Sequence, residues 1–169
     1  MTETAQADDA LAAAGRLWLG GRPLEAGKAL TAIVPPAARP AWAGRIVAWA
    51  TARAKVAAFP EIAALVAATA RPVTAAEATA ARDALAATLM REQTSGRFNS
   101  LREAILILAL NAAHLLVATH NDAPPDPHEG WWFVASLKCV GDELDDDFAA
   151  DAWPLLHQFE RESQSAASY

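Results

Sequence analysis

The feature that most constrains this chain is an absence. Nowhere do β-branched residues gather into an alternating run, whereas alanine recurs through almost every segment. Alanine is the best helix former and is depleted in strands. It supplies much of a hydrophobic content of 53%, against 20% charged residues, so the chain can bury a real core and lacks a disordered composition. A length of 169 residues fits one domain. The expected fold is all-α: a single compact bundle of about seven or eight helices. Residues 8–119 form its main part, 120–130 a proline-rich loop, and 131–163 an acidic C-terminal helical segment. Surfaces rich in alanine let helix axes approach closely.

Punctuation along the chain places the helices. A first helix starts at the N-cap pair Asp8–Asp9 and stops at Gly20–Gly21. A second opens near Pro23 and ends at Pro35–Pro36, and the short connection makes the two an antiparallel hairpin. A third runs from Pro40 to about Ala58 and carries Trp42, Ile46, Trp49 and Val56 on one seam. Pro60 and Pro72 bracket a short fourth helix. Thr74 with Glu77, and Ser100 with Glu103, have the spacing of capping boxes that open the fifth and sixth helices. The sixth contains the longest strongly apolar stretch, Ala104–Ala118, which reads as a central helix buried on all sides. Its fifteen residues fall short of a bilayer span of ~20.

The prolines of NDAPPDPHEG indicate a loop, and residues 131–140 suit either a helix or a buried strand. Helix is favoured, because a lone strand would have no partner. A last helix covers Asp151–Glu162 with Pro154 in its first turn. Shifting the first hairpin by one helical-repeat length does not bring back its pattern, so no repeat array is expected.

Charge divides the chain. Residues 1–103 carry a balance of +3 and residues 104–169 one of −9, for −6 in all. Seven basic residues and only one acid, Glu25, lie between Arg16 and Lys55. These cations spread over separate helical directions, so no phosphate-binding footprint forms and nucleic acid is not an expected partner. The N-terminus lacks the basic-then-apolar order of a signal peptide, and the expected address is the cytoplasm, with no membrane partner.

Sites for chemistry are few. Cys139 is the only cysteine, which excludes an intramolecular disulfide. The histidines His114, His120, His128 and His157 show none of the spacings of zinc or di-iron sites, so no metal or cofactor is expected. Gly15–Arg22 imitates the glycine spacing of a phosphate loop, but its glycines end a helix and no Lys–Ser/Thr pair follows. The run Gly141–Asp151 holds six acids in the wrong order for a calcium loop.

Two function classes follow. The first is a non-catalytic helical protein-interaction module, an acidic accessory, inhibitory or immunity-like protein that binds a basic patch on another protein. Its contact residues would be Trp131, Trp132, Asp145, Asp146 and Asp147. Adjacent helical residues point about 100° apart, so one of the two tryptophans must leave the core, and an exposed Trp beside acids suits a binding hot spot. The alternative is a small-ligand-binding or enzymatic bundle with a cleft at Asn111 and His114, which share a helix face three residues apart. Self-association is compatible with either class.

Overall fold

The computed structural model describes residues 3–97, 99–121 and 127–159. Within them the chain forms eight α-helices and no strand: α1 (Glu3–Leu19), α2 (Pro23–Ile33), α3 (Arg39–Ala54), α4 (Pro60–Thr69), α5 (Ala75–Thr94), α6 (Ser100–Ala118), α7 (Pro127–Asp142) and α8 (Phe148–Leu156). One 3₁₀ turn, Pro36–Ala38, leads into α3. Five helices lie side by side in the order α1, α2, α7, α6, α5, and α8, α3 and α4 back them. A continuous core fills the space between the layers.

Local chemistry explains most boundaries. Thr74 and Glu77 form the full capping box that opens α5. α3 stops at Ala54, four residues earlier than expected, because Lys55 takes a left-handed conformation with φ of 52°. α1 begins at Glu3, ahead of the Asp8–Asp9 pair. At α6 the cap is Asn99, whose side chain accepts from the Arg102 amide. Ser100 instead donates its hydroxyl to Glu143, so the expected Ser100–Glu103 box does not form. α7 is helical through residues 131–140 and starts at Pro127, inside the segment expected to be a loop. A proline in a first helical turn forfeits no hydrogen bond, so prolines there do not exclude helix. α8 starts at Phe148, before the expected Asp151, which moves Pro154 from the first turn into the helix body. The expected end of that helix at Glu162 lies outside the described residues.

The central seam is the contact of α2 with α7. Ala26, Gly27, Leu30, Thr31 and Val34 are buried on one side, and Gly130, Phe133, Val134 and Leu137 on the other. Gly27 sits so close to α7 that a Cβ there would stand 2.9 Å from the Cα of Trp131. Across the same crossing, a Cβ on Gly130 would stand 2.1 Å from Thr31 Oγ1, which is held in place by donating to the Gly27 carbonyl at 2.7 Å. The close approach expected of small-residue helices is realised here, where side chains are smallest.

Buried tryptophans tie the layers together. Trp42 meets Phe133 edge-on at 5.3 Å, joining α3 to α7, and donates its indole N–H to the Leu156 carbonyl at 3.1 Å. Trp18 likewise donates to the Ala149 carbonyl at 2.7 Å. Two indoles from α1 and α3 thus anchor the short α8, on carbonyls at opposite ends of it. Both rings are fully buried, and removing a buried Trp typically costs about 3–5 kcal/mol.

α6 is not buried on all sides. Ala104, Ile105, Leu108, Ala109, Ala112 and Leu116 face the core, whereas Glu103, Ile107, Leu110, Asn111, His114, Val117 and Ala118 keep partial exposure. At nineteen residues it is long and apolar enough to cross a membrane by length and composition, and half of it is buried in this fold.

Gly130→Ala should lower the melting temperature by about 5 °C, the effect of overpacking one tight helix crossing. Thr31→Ala in the same chain should recover most of that loss, because it removes the atoms nearest the new methyl. Additive losses in the double variant, measured by thermal unfolding, would contradict this description of the seam.

Candidate functional site

Two side-chain bonds define how α6 lies against α7. Asn111 donates to the Trp132 carbonyl at 3.4 Å, and the Ser100 hydroxyl donates to Glu143. Both pairs sum to the same register number, so the helices run antiparallel and stay adjacent over eleven residues, about 16 Å. Their outward stripes therefore lie side by side. On α6 the stripe is Glu103, Ile107, Leu110, Asn111 and His114. On α7 it is Trp132, Ala135 and Cys139, continued by Glu143 just past the end of the helix, at spacings of three, four and four.

Trp132 dominates this ridge, with 59% of its surface exposed. Among the described residues the other large exposed hydrophobic side chains are Leu19, Leu24 and Met90 on α1, α2 and α5. Ile107 and Leu110 extend the apolar ground beside Trp132. His114 sits half-buried on the same face, and burial holds its imidazole below the ordinary value of 6.5, with the positive charge of Arg82 acting in the same direction. At neutral pH it is an uncharged hydrogen-bonding group within apolar surroundings.

The residues singled out from sequence are regrouped by this geometry. Trp131 and Trp132 do diverge. Trp131 turns toward α2, half-buried, with the Lys28 ammonium 4.5 Å from its ring centre and His128 edge-on at 4.5 Å. Trp132 instead shares the outer face with Asn111 and His114, so the residues of the two readings meet on one surface. Asp145 is exposed but ion-paired: Arg53 donates to both its oxygens, at 3.0 and 3.2 Å, and also holds Asp151. The acidic segment thus docks on the basic half through one guanidinium. Asp146 and Asp147 are exposed, without an ion-pair partner among the described residues.

Two concave spaces lie away from this face. A cleft of about 430 Å³ opens where the start of α3 meets the ends of α4 and α6, between Pro40, Arg71, Val73, Leu116 and His120. A hollow of about 250 Å³ lies at the α7–α8 connection between Lys138, Asp142, Asp146 and Phe148. Neither is lined by Asn111, His114, Trp131 or Trp132. Among the described residues no three His, Cys, Asp or Glu side chains come together as a metal-holding group. Ile107, Leu110 and Glu143 were not singled out from sequence, and Cys139 was noted there only as the lone cysteine. No local signal sets them apart, because which stripe of each helix faces outward is decided by the helices packed against it.

The chain matches no family model, and neither curated proteins nor solved structures give a match.

Two measurements check this geometry. The fold favours neutral His114, so the penalty for charging it is absent above pH 6.5 and grows as pH falls below that value through the lower folded-state pKa. His114→Gln should therefore flatten the acid limb of the melting-temperature profile below pH 6.5; an unchanged limb would contradict the assignment. Arg53→Gln should speed amide exchange in α8 relative to α5, and high salt should partly reproduce that in the wild type. Unchanged α8 exchange would show that the two indole anchors suffice.

Proposed function

We propose that this protein is a non-catalytic helical interaction module, an acidic accessory or inhibitory protein that binds another protein through the outer face of α6 and α7. The observation that carries the reading is Trp132, exposed by 59% on a straight ridge beside Ile107 and Leu110. Exposing a large aromatic ring to water is unfavourable in a chain that buries thirty-four apolar residues elsewhere among the described ones. Aromatic side chains in such positions are enriched among interface hot spots. Asn111 and His114 supply polar contacts within the same surface, and the half-exposed aliphatic side chains exclude water around the anchor. The expected partner presents a basic patch, since the adjoining end of α7 is acidic.

The face is tested by placing a photo-reactive phenylalanine analogue at Trp132, and in a second protein at Leu19, and irradiating cells of the natural host. Leu19 is a fair control, being 55% exposed in a different region. A discrete adduct from position 132 alone supports the reading. Adducts of similar yield from both positions, or none from position 132, would refute it. A self-adduct from both positions would mark head-to-tail self-assembly instead.

A further inference from the structure

Away from the Trp132 face, a hollow opens where three helix ends meet. α3 starts there, and α4 and α6 finish. Helix bodies interlock their side chains, but helix ends leave room between them. The residues bordering this room are small: Ala37, Ala41 and Ala70, with Pro40 and Pro72. Behind them α3 and α4 close on each other, because a Cβ on Gly44 would strike the Thr69 hydroxyl. The space left is about 430 Å³. That lies within the ~300–1,000 Å³ typical of small-molecule sites, whereas the hollow of about 250 Å³ at the α7–α8 connection falls short of it.

The lining has an apolar part and a polar part. Pro40 and Leu116 are buried in the fold, Ala41 and Val73 are half-buried, and all four border the hollow with carbon. Thr119 and His120 stand exposed at the end of α6, and Arg71 beyond the end of α4. The Thr119 hydroxyl donates to the Leu116 carbonyl at 2.7 Å, and that of Thr69 to the Val66 carbonyl at 2.8 Å. Both oxygens can still accept. His120 adds an imidazole, which donates through one nitrogen and accepts through the other when neutral.

Charge narrows the occupant. Among the described residues no carboxylate lines the hollow, so a cation entering it would lose water with nothing set against it. Arg71 is already engaged, paired with Glu77 at 3.0 Å and donating to the Pro72 carbonyl at 3.0 Å. An anion drawn to Arg71 would therefore meet the Glu77 carboxylate as well. An uncharged molecule meets neither penalty. Pro40, Ala41, Val73 and Leu116 would cover its hydrocarbon part, and Thr119 and His120 would bond a hydroxyl or amide. We propose that this hollow binds a small uncharged amphipathic molecule, one ring or short chain carrying a single hydrogen-bonding group.

Three probes that share a ring and differ in charge test this: benzyl alcohol, benzylammonium and benzoate. Each is titrated into the nitrogen-15-labelled full chain while the backbone amide shifts are followed. Benzyl alcohol should saturate with a Kd of about 2 mM, as so few atoms allow. Its shifts should centre on residues 37–41, 69–73 and 116–120. The charged probes should bind at least about fivefold more weakly. Ala41→Phe, which puts a ring into the hollow, should weaken benzyl alcohol by about tenfold. Ala37→Phe should act in the same direction from an exposed position, and it serves if the first variant misfolds. Trp132→Ala should leave the affinity unchanged, because the hollow and the ridge share no residue.

Tighter binding of benzoate or benzylammonium overturns the uncharged class, and so does equal affinity for all three. Shifts centred elsewhere, or binding that neither phenylalanine variant weakens, overturn the site. Failure of every probe to saturate overturns the proposal as a whole.

Discussion

The fold depends on how closely α7 can approach α2. With the Trp131 backbone against Gly27, and Thr31 filling the place where Gly130 lacks a side chain, the two helices meet almost backbone to backbone. That approach fixes the rotation of α7. Once Gly130, Phe133, Val134 and Leu137 are turned inward, Trp132 and Cys139 have no choice but to face out. Trp42 then meets Phe133 from below, and the indoles of Trp18 and Trp42 fasten α8 across the other side. A single tight crossing of small residues therefore sets which aromatic ring is core and which is surface.

The same rotation gives the outer face its character. α6 lies antiparallel to α7 with matched eleven-residue intervals, so two half-exposed stripes combine into one furrow. Neither helix alone presents much apolar surface, because Ile107, Leu110 and Ala135 are only partly exposed. Electrostatics adds direction. Arg53 uses up Asp145 and Asp151 in holding α8, and the charges left unanswered cluster at the far end of α7. The acidic segment serves the fold through its ion-paired members, Asp145 and Asp151.

Much of this fold was legible in the sequence. Alanine content and the lack of β patterning gave the helical class, and Thr74 with Glu77 gave a helix start that the structure reproduces. The divergence of Trp131 and Trp132 followed from helix geometry alone. Choices governed by distant partners were not legible. Asn99 and Ser100 are both good caps, Ser100 with Glu103 three positions on, and the hydroxyl's bond to Glu143, forty-three residues away, decides between them. Lys55 ends α3 in a left-handed turn that no glycine announced. The apolar run of α6 concealed an outer stripe, because Ile107 and Leu110 look no different in sequence from Ile105 and Leu108. Burial around a helix is set by its neighbours, and the neighbours of α6 come from four other helices.

The central claim is that the α6–α7 furrow is a docking surface rather than a passive flank of the bundle. Side-chain footprinting by hydroxyl radicals, with the partner captured at Trp132 added to the full chain, measures it most directly. The account predicts that Ile107, Leu110, Trp132 and Cys139 lose reactivity together, while Leu19, Leu24 and Met90 keep theirs. Protection centred on the α1–α2 turn or on α5, with Trp132 still reactive, would contradict it.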